Sequence, residues 1–130
     1  LLIHTGWGQM ILEMNLDPDA EKLHRSCAVL DSLVPKILEW VTDSGLSVIA
    51  SDNMAVEDIG GPQRQNIKGS RLPLHEHCLF KLGIHLGEIW YLTELAGWLR
   101  ENGRSRLLLT APPLRLTGAV GSPATPVGTV

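Results

Sequence analysis

An α/β fold is predicted for this 130-residue chain, and three observations predict it. Residues 33–43 place Val34, Ile37, Leu38 and Val41 at the i, i+3, i+4, i+7 spacing of one buried helix face. Gly45 follows, suited to a left-handed helix stop, and residues 46–50 are then the apolar, β-branched sequence of a buried strand. A second helix over 93–102 has a Leu95, Trp98, Leu99 stripe, with Gly103 as its stop and a strand over 106–110 after it. Helix, glycine and strand in this order make half of a βαβ unit.

The other elements follow in chain order. Residues 1–5 read as a short, mostly buried strand, which Gly6-Trp7-Gly8 breaks with a tight turn. Residues 9–22 are mixed, with Asp17 a cap and Pro18 a first-turn residue for a helix. Ser32 is expected to cap the helix over 33–43, and Pro35 is tolerated in its first turn. Asp52 and Asn53 follow the 46–50 strand at its carboxyl end, the sheet edge where α/β ligands usually sit, although a plain turn also fits them. Residues 57–70 read as a long loop. Pro73 in front and Gly83 behind frame a helix of about ten residues. After the strand over 106–110, Ala111-Pro112-Pro113 is a break. Residues 114–116 form a candidate short strand, 118–123 a turn-rich loop, and 126–130 an edge strand.

Composition limits the functional classes. The length gives one domain at most, or a piece of one. A net charge of −3 gives no electrostatic reason to expect nucleic acid or an anionic membrane as partner. Arg100, Arg104 and Arg106 read as a solvated helix end. Cys27 and Cys78 are too few for a disulfide framework, so reduced thiols in the cytoplasm are the expectation. No apolar run reaches the ~18 residues of a membrane span, and no signal peptide is visible. Leu1-Leu2-Ile3 looks like the inside of a strand, so the sequence is expected to start within a longer protein.

Chemistry concentrates in 74–88, which holds His75, His77 and His85 with Glu76 and Glu88. On a helix, His75 and His77 diverge by about 200° and cannot both face one metal ion. Leu74, Cys78 and Leu82 fit an apolar stripe with Leu79 beside it. That puts His75 on a partly buried face and His77 on another, with Lys81. Imidazole with the Glu88 carboxylate is a mixed N/O set suited to Zn, Mn or Fe, but catalytic zinc typically takes three protein ligands. A metal site and ordinary helix-surface histidines both fit the stretch. His85 is expected to be exposed, Cys78 is a core thiol, and His4 and His24 have no partner signal. No nucleophile elbow, Walker-type loop or His-Glu-x-x-His pair is present. Ser122 before Pro123 fits a turn.

Four stretches in order carry a family resemblance. They are Ile3-His4-Thr5-Gly6-Trp7, then Ala50-Ser51-Asp52-Asn53, then Leu74-His75-Glu76 through Gly83-Ile84-His85-Leu86-Gly87-Glu88, and last Ala111-Pro112-Pro113-Leu114-Arg115-Leu116-Thr117-Gly118 through Gly121-Ser122-Pro123. Together they resemble the C-terminal part of the cyclase family of metal-dependent hydrolases, which includes kynurenine formamidase and isatin hydrolase. The resemblance implies a swivelling β/β/α domain with a mixed sheet packed by helices, usually dimeric or tetrameric. It implies Zn or Mn as cofactor, an amide-type small-molecule substrate such as N-formylkynurenine, isatin or a cyclic amide, and a place in tryptophan catabolism. His75 and Glu88 match metal-ligand positions, with His77 the fallback. Trp7, Asp52 and Ser122 match positions near the substrate.

The family's His-x-Gly-Thr-His-x-Asp motif does not occur in this sequence. The expectation is therefore that residues 1–130 are the C-terminal portion of one cyclase-like hydrolase domain. This portion lacks the half carrying the main metal motif and would be inactive alone. Two further readings stand beside it: a truncated homologue serving as an interaction or assembly domain, and a metal-binding module without hydrolysis.

Overall fold

Three short parallel strands organise the first unit, Leu1–Thr93, of the computed structural model, which describes residues 1–60 and 68–130. These are β1 (Leu2–Ile3), β2 (Val48–Ser51) and β3 (His85–Gly87), with β2 in the centre. Ile3 pairs with Ser51, and Ala50 pairs with both Leu2 and Gly87. Parallel neighbours need crossovers, and helices supply them. Between β1 and β2 run α1 (Trp7–Glu13), α2 (Ala20–Arg25) and α3 (Pro35–Ser44). Between β2 and β3 runs α4 (Pro73–His75), which continues as a π-helix over Glu76–Leu82. The core joins Val41 of α3, Ile49 of β2, Val56, Leu74 and Cys78 of the α4 segment, and Ile84.

α3 follows its sequence pattern with two differences. Val34 is the residue before the helix and is exposed, and Ser32 does not cap it, because its hydroxyl is turned inward to Glu57. Gly45 ends the helix at φ 68°, as expected.

Gly6-Trp7-Gly8 is a turn into a helix, where the sequence suggested only a break. Gly6 takes φ 89°, and the Asp52 carboxylate then accepts from the Thr5 and Gly6 backbone N–H groups at 2.7 Å each. With those amide groups satisfied from outside, α1 can begin at Trp7. Asp19 caps α2, accepting from Lys22 N at 3.0 Å, so Pro18 precedes the cap instead of entering the first turn after Asp17.

The α4 segment starts and stops where Pro73 and Gly83 require, but its middle is π-helical. The Gly83 N–H reaches Cys78 O, an i→i+5 bond, and Ile84 N follows to the same oxygen at 2.8 Å. The wider turn keeps Leu74 and Cys78 inside and carries Leu79 and Leu82 outward, off the expected stripe.

Described by itself, the second unit, Glu94–Val130, contains most of α5 (Thr93–Glu101) and an antiparallel ribbon of β4 (Leu108–Thr110) and β5 (Val127–Thr129). Gly103 stops α5 at φ 59°. Arg104 lies over the Trp98 ring at 5.3 Å, so Trp98 is half-covered rather than buried. Residues 114–116 are not a strand; only an isolated Pro113–Ala124 bridge forms there. The fold is α/β, with parallel and antiparallel pairing divided between two sheets. Among the described residues no helix is long and apolar enough to cross a membrane. The middle of the expected 57–70 loop, residues 61–67, lies outside the described residues.

Candidate functional site

The parallel sheet delivers three polar residues to its carboxyl edge. His4 follows β1, Asp52 follows β2 and Glu88 follows β3. This edge is the usual ligand side of an α/β sheet.

Glu88 meets His75 there. His75 Nε2 lies 2.9 Å from Glu88 Oε1, across the Gly83 break, so the two residues that the resemblance singles out are brought together. The other ring nitrogen, Nδ1, donates at 2.7 Å to Oε1 of Glu57, a residue the sequence reading left in a loop. The Glu57 carboxylate also accepts from Leu74 N at 3.2 Å, His75 N at 2.9 Å and the Ser32 hydroxyl. Leu74 and His75 open α4, whose preceding residue, Leu72, supplies no cap and whose first residue, Pro73, has no N–H. Glu57 therefore caps α4 from a distant segment while gripping the His75 ring.

Charge follows from these contacts. Hydrogen bonds to Glu57, then to Glu88, raise the His75 pKa to about 9 against the opposing effect of burial. Burial pushes the Glu57 carboxyl up. The His75 ring, Ser32 and the two α4 amide groups outweigh that and hold it below the usual carboxylate range. At neutral pH the imidazolium sits between two carboxylates.

His77 is turned elsewhere. Its Nε2 is 2.8 Å from Thr42 Oγ1 on α3, so the two histidines do diverge, and His75 is the one brought to Glu88. His85 is exposed, as expected. His4, which had no partner signal, faces Thr93 Oγ1 at 3.3 Å and Asp52 Oδ2 at 3.9 Å through the same Nε2. One nitrogen facing both groups is not a proton relay, which needs a separate partner on each ring nitrogen.

The other candidates have structural duties in this arrangement. Asp52 is fully buried, its carboxylate taken by Thr5 and Gly6. Burial raises its pKa, and the hydrogen bonds from Thr5 and Gly6 bring it below the ordinary value. The Trp7 indole N–H donates to Leu23 O at 3.0 Å. The Trp7 ring helps line a cavity of about 550 Å³ with Leu23, Val29, Asn53, Met54 and Glu57. Ser122 belongs to the second unit, where its hydroxyl donates to Leu114 O and Pro123 O.

His75 Nε2 and Glu88 Oε1 fit part of a metal site. Two donors each about 2.0–2.2 Å from one zinc ion lie roughly 2.9–3.6 Å apart at coordination angles of 90–110°. A histidine that ligates through one nitrogen usually gives its other N–H to a carboxylate, as His75 does to Glu57. The fit stops at two donors: among the described residues no three His, Cys, Asp or Glu side chains gather to hold a metal ion.

No family model matches the sequence, and no curated protein matches it. Among solved structures the chain is similar to the crystal structure of a novel cyclase, at 36% identity and a TM-score of 0.58, over 72% of this chain and 28% of that one. The chain thus spans less than a third of that protein's length. The likeness supports kinship of this chain with the cyclase family.

Proposed function

We propose that this chain supplies part of the site of a metal-dependent hydrolase of amide-type bonds, with His75 and Glu88 as two of the metal ligands. The observation that carries the reading is the 2.9 Å approach of His75 Nε2 to Glu88 Oε1 at the carboxyl edge of the sheet. The substrate class comes from the sequence resemblance: N-formylkynurenine, isatin or a cyclic amide. A zinc or manganese ion held there would supply an activated water and polarise the amide carbonyl. The residues' own parts are separate from that chemistry. Glu88 presents a carboxylate oxygen, and His75 presents Nε2 once its proton leaves. Remaining ligands come from outside the described residues, and a dimer or tetramer is the expected assembly.

The test is metal content together with hydrolysis of N-formylkynurenine and isatin by the complete protein, with every ligand of the site present. Bound Zn or Mn, and turnover abolished in Glu88→Gln, support the reading. No bound metal, or unchanged turnover in Glu88→Gln, removes it. A second reading, a non-catalytic assembly domain, is favoured by the two-donor limit and by exposed Trp40 on α3 and Phe80 on the π-helix. It predicts a stable oligomer without metal or turnover.

A further inference from the structure

Glu57 is a fully buried carboxylate, and burying a carboxylate is costly unless its contacts offset the lost hydration. Capping α4 alone does not call for it, since a local Ser, Thr or Asp before Pro73 would serve.

The chain is shaped to bring it in. Val56, β-branched, takes φ 61°, a left-handed conformation that such residues rarely adopt. Three contacts hold it there. Asn53 Oδ1 accepts from Val56 N at 2.7 Å, Asn53 Nδ2 donates to Ala28 O at 3.1 Å, and Leu30 N donates to Val56 O at 3.1 Å. Asp58 N then returns to Leu30 O at 3.0 Å. This fixed turn sends the Glu57 side chain into the interior, where Oε1 takes both the backbone N–H and the ring Nδ1–H of His75. One carboxylate thus caps the start of the helix, through Oε2 to Leu74 N and Oε1 to His75 N, and holds the rotation of the imidazole on it. With Nδ1 committed, only Nε2 is left to face Glu88.

The geometry points to Glu57 as a positioning residue for His75: it fixes the ring rotation and keeps a proton on Nδ1, so that Nε2 is the nitrogen offered beside Glu88. The functional consequence rests on reading His75 and Glu88 as metal ligands, whereas the ring geometry does not. Glu57 acts through His75 and touches no reacting atom. Partners of this kind typically change metal affinity by about 10–100-fold when removed.

The test uses the 130-residue chain with ¹⁵N-labelled histidine. A hydrogen-bonded His75 Nδ1–H should appear as a downfield, slowly exchanging ring proton, assigned by its loss in His75→Gln. It should vanish in Glu57→Leu while the amide spectrum stays folded. It should persist in Ser32→Ala, which removes a contact to the other carboxylate oxygen. Zinc affinity, measured by competition with a chromophoric chelator, should fall about 10–100-fold in Glu57→Leu and recover in part in Glu57→Asp. No such ring proton in the unmutated chain, or its survival in Glu57→Leu, overturns the proposal, as does unchanged zinc affinity in Glu57→Leu. The ring proton of the unmutated chain and of Glu57→Asp decides the matter if Glu57→Leu does not fold. Absence of zinc binding to every form, with the ring proton behaving as expected, counts against the metal-ligand reading and leaves the positioning role standing.

Discussion

Glu57 Oε1 lies 2.7 Å from His75 Nδ1 and 2.9 Å from His75 N, so a single oxygen holds both the ring and the backbone of one residue. On the far side of the same ring, Glu88 Oε1 lies 2.9 Å from Nε2.

The first consequence concerns pH. The His75 pKa rises from 6.5 to about 9 on folding, through the Glu57 and then the Glu88 hydrogen bonds. A group whose pKa is raised contributes its full stabilisation below the unfolded value and loses it as pH rises through the folded one. The metal-free chain should therefore lose stability between about pH 6.5 and pH 9. Urea unfolding across that range should show the loss, and His75→Gln should flatten it. On the acid side, Glu57 is held below its ordinary value, so its contribution is lost as pH falls through its lowered folded pKa.

Gly87 tests how the sheet edge is packed. A Cβ there would lie 2.8 Å from Ala50 Cβ and 2.8 Å from Trp90 Cε2 and Cζ2. Gly87→Ala should destabilise by ~1–3 kcal/mol, because neither the central strand nor the indole can move freely. Gly97 in α5 has nothing within 4 Å of its added Cβ. Gly97→Ala should be neutral or stabilise by up to about 1 kcal/mol through helix propensity. Denaturant unfolding of the two variants distinguishes these outcomes.

Asp52 separates scaffold from site. Asp52→Asn leaves one oxygen for the donors Thr5 N, Thr5 Oγ1 and Gly6 N. It should cost on the order of 1–3 kcal/mol, measured by unfolding. The His75 ring proton should be unaffected, since none of the Asp52 partners touches that ring.

The thiols should differ in reactivity. Burial first, and then the Glu57 charge, push the Cys78 thiol up to about 11, while Cys27 is exposed. Alkylation of the folded chain should modify Cys27 at once and reach Cys78 only on unfolding, read by mass spectrometry.

Much of the fold could be read locally. The α3 stripe from Ile37 to Val41, the Gly45 and Gly83 stops and the Pro73 start are properties of neighbouring residues, and each holds. The features that could not be read depend on distant partners. α1 needs the Asp52 carboxylate, 46 positions from Gly6. Ser32 looked like a helix cap, but its hydroxyl serves Glu57, 25 positions away. The π-helical turn has no local marker, because an i→i+5 bond uses the same residues as an i→i+4 one. His75 and Glu88 were both singled out in the sequence and do come together, whereas Glu57 looked like the first residue of a polar loop. One signal for it was present: Pro73 begins a helix with no capping side chain before it, so a cap had to arrive from elsewhere.

The most direct measurement is zinc titration of the chain followed at the His75 ring nitrogens, with Glu88→Gln in parallel. The predicted result is a shift of His75 Nε2 with Nδ1 still protonated, and a much weaker response in Glu88→Gln. An unmoved His75 ring, or an equal response without the Glu88 carboxylate, would contradict the assignment of this pair as metal ligands.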